Sequence, residues 1–251
     1  MKTLAVTNQK GGVGKTAVAC HLAYYLRDEG HKVLFVDLDP QANASSTLQE
    51  SACSIPTSAL FDEMRPNLTA GDGITLVAAD PPLVDIERAD AAVVSHFRAN
   101  MAALADQFDF AVIDTGPGKG LRMVAALVVA DFALAPIELE AFSIQGITNM
   151  LETIFGVRER YNPVLTFLGM LPSRFNSHSP AQKDNLRELL ESYAHMMIRA
   201  KITTRSAVAE ALAAGRPVWE IGKTSARPAG KEMRQAFDLI VKQMEDETHV
   251  A

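Results

Sequence analysis

Gln9-Lys10-Gly11-Gly12-Val13-Gly14-Lys15-Thr16 follows an apolar run, Leu4 to Thr7, and precedes a helix-like run from Ala17 to Leu26. A strand, a glycine-rich loop closed by Lys-Thr, then a helix is the setting in which backbone N–H groups cradle phosphates. Glycines 11, 12 and 14 let those N–H groups turn inward around an anion, in conformations a side chain would obstruct. Lys15 can reach the β- and γ-phosphates, and the Thr16 hydroxyl can ligate Mg²⁺. The helix that follows brings the positive end of its dipole to the same place. Lys10 is the unusual residue, a second lysine at the loop mouth that phosphate binding alone does not require. On its own it also reads as a solvated lysine beside a loop.

Outward from the loop, apolar runs of strand length alternate with longer helical patterns. The sequence predicts strands at Thr3–Thr7, Lys32–Asp37, Ile74–Ala78, Phe110–Asp114, Phe132–Pro136, Leu165–Leu171 and Met196–Arg199. It predicts helices over 16–28, 87–106, 121–130, 143–160, 180–194, 204–214 and 229–245, with Gln41 to Asn67 broken into short, polar pieces. Most strand runs are continuously apolar, as expected when helices cover both faces of a parallel sheet. The expected fold is α/β: a doubly wound, mostly parallel sheet, one domain over residues 1–251.

Composition narrows the class. Hydrophobic residues make up 48% and charged residues 22% of 251, which suits a globular protein with a large core. No apolar run approaches the ~20 residues of a membrane span. The first strand leaves no room for a signal peptide, so the expected location is the cytoplasm. Cys20 and Cys53 have no metal-type spacing and cannot ligate an iron–sulfur cluster, which argues against a reductase on this fold. The six histidines show no metal spacing either, and His21 reads as structural. The net charge of −6 is uneven. Residues 1–157 carry 10 Lys and Arg against 19 Asp and Glu, whereas residues 158–234 carry 13 against 7. A basic segment on an acidic body suits a polyanion surface, though scattered solvated charges would give the same count.

Two further sites fall where such a sheet binds ligands, past the carboxyl ends of its strands. Val33–Val36 leads into Asp37-Leu38-Asp39-Pro40-Gln41, and Phe110–Ile113 leads into Asp114-Thr115-Gly116-Pro117-Gly118. Asp39 and Asp114 are thus candidates to hold Mg²⁺ through its water shell or to orient an attacking water. As plain structure, either would serve as a helix cap.

The three motifs together, at this spacing, resemble the ParA/Soj/MinD group of deviant-Walker ATPases over nearly the whole chain. A looser match, Arg205 to Glu220, is similar to a stretch of plasmid and chromosome partition ATPases. The resemblance implies that Lys10 crosses a nucleotide-sandwich dimer to the partner's phosphates. It implies phosphate contacts from Gly11, Gly12, Val13, Gly14, Lys15, Thr16 and Ala17. Asp39 would position the water, and Asp114 would hold Mg²⁺ from beyond its direct ligands. Residues 39–47 and 114–120 would be switch segments. The loop opened by Pro172, including Arg174, is the expected adenine contact. Ala17 stands where a second threonine is common, and Gly116 where a proline is usual.

What the switch acts on depends on the outer surface. A membrane partner would need a basic amphipathic C-terminal helix, but this one ends Glu245-Asp246-Glu247, and its stripe of Phe237, Ile240, Val241 and Met244 reads as core packing. Non-specific DNA fits the basic third better, with Arg205 and Arg216 as first candidates. The resemblance therefore implies a partition ATPase with ATP and Mg²⁺ as cofactors and an ATP-dependent homodimer on nucleoid DNA. A ParB-like centromere-binding protein would stimulate slow hydrolysis. With the first strand at Thr3, no helix-turn-helix is expected ahead of it, nor operon autorepression. The alternatives are positioning of a protein cargo on the same track, a MinD-like membrane regulator, and a metabolic enzyme such as an amidoligase.

Overall fold

A computed structural model describes residues 1–63, 65–139 and 144–248. Seven parallel strands form one sheet: β1 (Lys2–Val6), β2 (Val33–Asp37), β3 (Ala52–Pro56), β4 (Ile74–Ala78), β5 (Phe110–Asp114), β6 (Phe132–Ile137) and β7 (Thr166–Pro172). Their order is β3-β4-β2-β5-β1-β6-β7. The apolar runs lack alternation because successive residues feed two different cores. Ala5, Leu34, Val36, Ala111 and Ile113 point into one, and Leu4, Val6, Val33, Phe35 and Val112 into the other.

Helices α3 (Ala92–Leu104), α4 (Leu121–Val129) and α5 (Ile144–Arg160) cover the first core; α1 (Lys15–Asp28), α7 (Ser206–Ala213) and α8 (Ala226–Thr248) cover the second. The short α2 (Asn43–Thr47) follows β2, and α6 (Pro180–Tyr193) follows β7. The apolar stripe of α8 is core: Phe237, Ile240 and Met244 are buried, and Val241 packs against them. No helix among the described residues is long and apolar enough to cross a membrane.

Three expectations change. Met196–Arg199 is not a strand; Met197 makes one isolated bridge to Met170, because exposed Arg199 and Lys201 interrupt the buried Ile198 and Ile202. Ala52–Pro56, expected to be broken and polar, is the edge strand β3, where alternating exposure and a terminal proline are tolerated. The long helix expected from 87 begins at Ala92, after a 3₁₀ segment Pro81–Arg88; the Asp90 carboxylate accepts the Ala92 N–H and starts it afresh. The piece expected at 143–160 is α5 from Ile144, its first predicted residue lying outside the described ones.

The register aligns the functional ends. Val6 of β1 lies opposite Asp114 of β5, and Asp114 opposite Asp37 of β2. The three loops that leave these strands therefore start side by side.

Candidate functional site

The glycine loop takes the shape its composition allows. Gly12 and Gly14 have φ of 78° and 91°, left-handed values that a side chain resists. A Cβ at Gly14 would also stand 2.6 Å from Ser173 Oγ, so the loop and the segment after β7 meet with no room to spare. Gly14 has no side chain to cap α1, which leaves the first-turn N–H groups of the helix open to an anion. Val13 turns inward and is buried.

The two lysines differ. Lys15 is buried, and its ammonium donates to the Lys10 carbonyl at 3.0 Å. Burial lowers its pKa, against the upward pull of Asp114 and Asp39. Lys10 has a side chain 40% exposed, and its ammonium lies 3.2 Å from Glu138 Oε2. One lysine is inside the loop and the other at its rim.

Asp114 is fully buried, and its Oδ2 accepts the Thr16 hydroxyl at 2.7 Å. Its Oδ1, also buried, has no hydrogen-bond partner. Burial, then the Asp37 carboxylate, pushes the Asp114 pKa well above the usual range, opposed by the Thr16 hydroxyl and Lys15. A carboxylate in that position gains from a nearby cation. Among the described residues no three His, Cys, Asp or Glu converge as a metal cage. That suits Mg²⁺, which is held by few protein oxygens and keeps water and phosphate as its other ligands. Thr16 and Asp114 fit such an ion.

Asp37, one strand over, has a different task. Its Oδ1 accepts the Asp39 N–H at 3.0 Å, and its Oδ2 accepts both the N–H and the hydroxyl of Ser45. It thereby fixes residues 39–45 as one piece, including Ala42 in a left-handed conformation at φ 54°. Asp39 is buried, and its Oδ1 accepts the Gln41 N–H. A Cβ at residue 116 would meet Asp39 Oδ1 at 3.2 Å, so Gly116 gives the Asp39 carboxylate its space. Residues 116–118 also touch the loop: Gly118 N–H donates to the Gln9 carbonyl.

These groups border a cavity of about 650 Å³, lined by Gly11, Gly12, Gly14, Lys15, Thr16, Ala17 and Asp39 and closed by Pro117, Arg174 and Leu212. A more apolar cavity of about 480 Å³ adjoins it at Gly14 and Ala17, walled by Ser173, Arg174, Ile202, Leu212 and Met233. Pro172 does not line either one; it ends β7, and its carbonyl accepts the Ile202 N–H. Arg174 borders both and donates to the Gly12 carbonyl at 2.7 Å.

Arg205 lines the more apolar cavity, Arg216 lines neither, and the two differ in kind. Arg205 is ion-paired to Glu232 at 2.7 Å, and Glu232 also accepts the Thr203 N–H. Arg216 is exposed, with no ion pair among the described residues. It follows Gly215, whose left-handed backbone (φ 63°) packs on the Thr47 carbonyl of α2. His21 ties the same stretch to α1. Its Nδ1 lies 2.8 Å from the Ala17 carbonyl, its Nε2 accepts the Val218 N–H, and burial lowers its pKa to about 4.

Sequence reasoning missed Asp37 as the organiser of residues 39–45, Leu212 as a cavity wall, and Glu138. The signal for Glu138 was present: an acid directly after an apolar strand, the same pattern that marked Asp114.

Loop, strand-end carboxylates and sheet order define a P-loop nucleotide-binding domain. A family model described as an AAA domain matches residues 1–167. Protein IncC of Escherichia coli is 46% identical over 98% of this chain and 70% of its own length. The chromosome-partitioning ATPase Soj of Thermus thermophilus is 30% identical over 98% of each chain. The solved ATP complex of a McdA variant from Cyanothece superposes with a TM-score of 0.82, at 25% identity over 96% of each chain. The chain belongs to the ParA/Soj family of partition ATPases.

Proposed function

We propose that residues 1–251 act as one ATPase unit that uses ATP and Mg²⁺ to close a homodimer and, in that state, grips nucleoid DNA without reading sequence. A ParB-like centromere-binding partner then stimulates slow hydrolysis and release, so that plasmid or chromosome DNA is segregated. The observation that carries this reading is the division of labour between the two lysines. Lys15 is buried inside the loop, where it serves its own subunit's phosphates; Lys10 lies at the exposed rim, where it can reach a second subunit. A soluble enzyme that hydrolysed ATP alone would need only the first.

Thr16 and Asp114, joined by a hydrogen bond, would hold Mg²⁺, and the ion would supply charge neutralisation for the phosphates. Asp39, held by Asp37 and given room by Gly116, orients the attacking water. Loss of the γ-phosphate removes its contacts to residues 39–47 and 114–120, and the dimer loosens. Gly215 rests on α2 and Val218 is tied to α1 through His21, so movement of the first switch reaches the basic stretch directly. Affinity for DNA arises from exposed cations such as Arg216 meeting phosphates, and falls with salt.

The test is DNA binding with and without ATP at two salt concentrations, with Lys10→Ala alongside. Binding only with ATP, steeply weakened by salt and lost with the dimer in Lys10→Ala, supports the proposal. Binding that ignores ATP, or an intact dimer in the variant, overturns it.

A further inference from the structure

Glu138 directly follows β6, and its side chain, only 15% exposed, meets two cations at the edge of the phosphate loop. Lys10 Nζ is 3.2 Å from its Oε2, and Arg174 Nη1 is 3.8 Å from its Oε1. The backbones beneath these side chains are themselves fixed together. Lys10 N–H donates to Asn8 Oδ1, and Asn8 Nδ2 donates to the Pro136 carbonyl, two residues before Glu138. Arg174 is held at φ 55° with its guanidinium on the Gly12 carbonyl. The contact therefore rests on an anchored frame rather than on three long side chains that happen to meet.

Taking Lys10 away from Glu138 would leave a half-buried carboxylate short of a counter-charge, which is strongly unfavourable unless another cation replaces it. Arg174 is already within 4 Å, and a guanidinium can close on a carboxylate through two N–H groups. Departure of Lys10 is then an exchange of partners at Glu138, not the orphaning of a charge.

We propose that Glu138 is a positioning residue for Lys10. It holds the ammonium inside its own subunit until phosphates across a dimer interface outcompete it, with Arg174 taking over the carboxylate. This rests on the reading of Lys10 as the bridging lysine. Glu138 thus raises the protein concentration at which the ATP-bound dimer assembles, and keeps Lys10 from pairing with other anions beforehand.

The experiment is sedimentation of wild type, Glu138→Gln, Lys10→Gln and the double variant over a range of protein concentrations with a non-hydrolysable ATP analogue. Glu138→Gln should dimerise at a concentration roughly fivefold lower, the size expected of a partly exposed ion pair. Monomer affinity for a fluorescent ATP analogue should stay unchanged. The double variant should match Lys10→Gln. A structural role alone would weaken assembly, so dimerisation of Glu138→Gln at the wild-type concentration or above it overturns the proposal. Wild-type dimerisation by Lys10→Gln instead removes the bridging role itself, a separate failure. Should Glu138→Gln not fold, Glu138→Asp, which keeps the charge and shortens the reach, should move the midpoint in the same direction by less; no movement overturns the proposal equally.

Discussion

At the phosphate end of the sheet, position is enforced by burial. Asp37 and Asp114 are fully buried on adjacent strands in register, and both carboxylate oxygens of Asp37 are taken by Asp39 and Ser45. In the basic third, charges lie on exposed or half-exposed side chains. Arg205 pairs with Glu232, Lys223 with Glu210 and Arg187 with Asp184, while Arg216, Arg227 and Lys231 are exposed and carry no ion pair among the described residues. A buried carboxylate stripped of its partner costs about 3–5 kcal/mol, whereas an exposed pair contributes about 0–1 kcal/mol. The first region can therefore do stereospecific chemistry. The second can supply charge density, which is what non-specific binding to a polyanion requires.

The sharpest way to break this contrast is at Asp39. Asp39→Ala should still bind ATP but lose about 10²–10³-fold in turnover, a loss typical of removing one group aimed at the reacting centre. Phosphate release in a single turnover checks it; a wild-type rate would place Asp39 with the structural acids.

The junction of the two regions should titrate. His21 is neutral in the fold, with its pKa lowered to about 4, while an unfolded histidine titrates near 6.5. The unfolded chain then binds the extra proton between those values, so His21 contributes stability above pH 6.5 that is lost as pH falls towards 4. The full loss is about 3 kcal/mol. Buried Asp37 and Asp114 have raised pKa values and work in the opposite direction, so the comparison must be a difference. Urea unfolding of wild type and His21→Gln from pH 7 to 4.5 should show their stability gap closing; a constant gap would mean the ring is not held neutral.

The two arginines at the ends of the basic stretch should separate. Arg205→Ala should lower unfolding stability by about 1 kcal/mol, because it strips Glu232 of its ion pair near the Thr203 backbone. Arg216→Ala should leave the melting temperature in place, weaken ATP-dependent DNA binding a few-fold, and reduce the salt slope by about one. Equal effects of both variants on DNA with no change in melting would put Arg205 on the DNA surface as well.

Sequence reading succeeded where a motif is forced by local chemistry. Glycines 12 and 14 adopt the left-handed backbone their type permits, and each strand that carries a functional acid ends where the apolar run ends. It faltered where neighbours come from elsewhere. Met196–Arg199 has strand-like composition but touches β7 at one bridge, and β3 has weak composition yet completes the sheet edge. Gly116 read as a departure from the usual proline; its reason, the carboxylate of Asp39, lies 77 positions away.

The amino-acid order alone determined the phosphate loop, the parallel sheet and the two strand-end acids, because each depends on residues adjacent in the chain. Only the tertiary structure decided which acid faces which group. Register set Asp114 beside Asp37, gave Asp37 to the backbone of residues 39–45, and placed Glu138 against Lys10 across 128 positions. Burial and charge pairing act through space, so the second lysine could be recognised in the sequence, but what holds it could not.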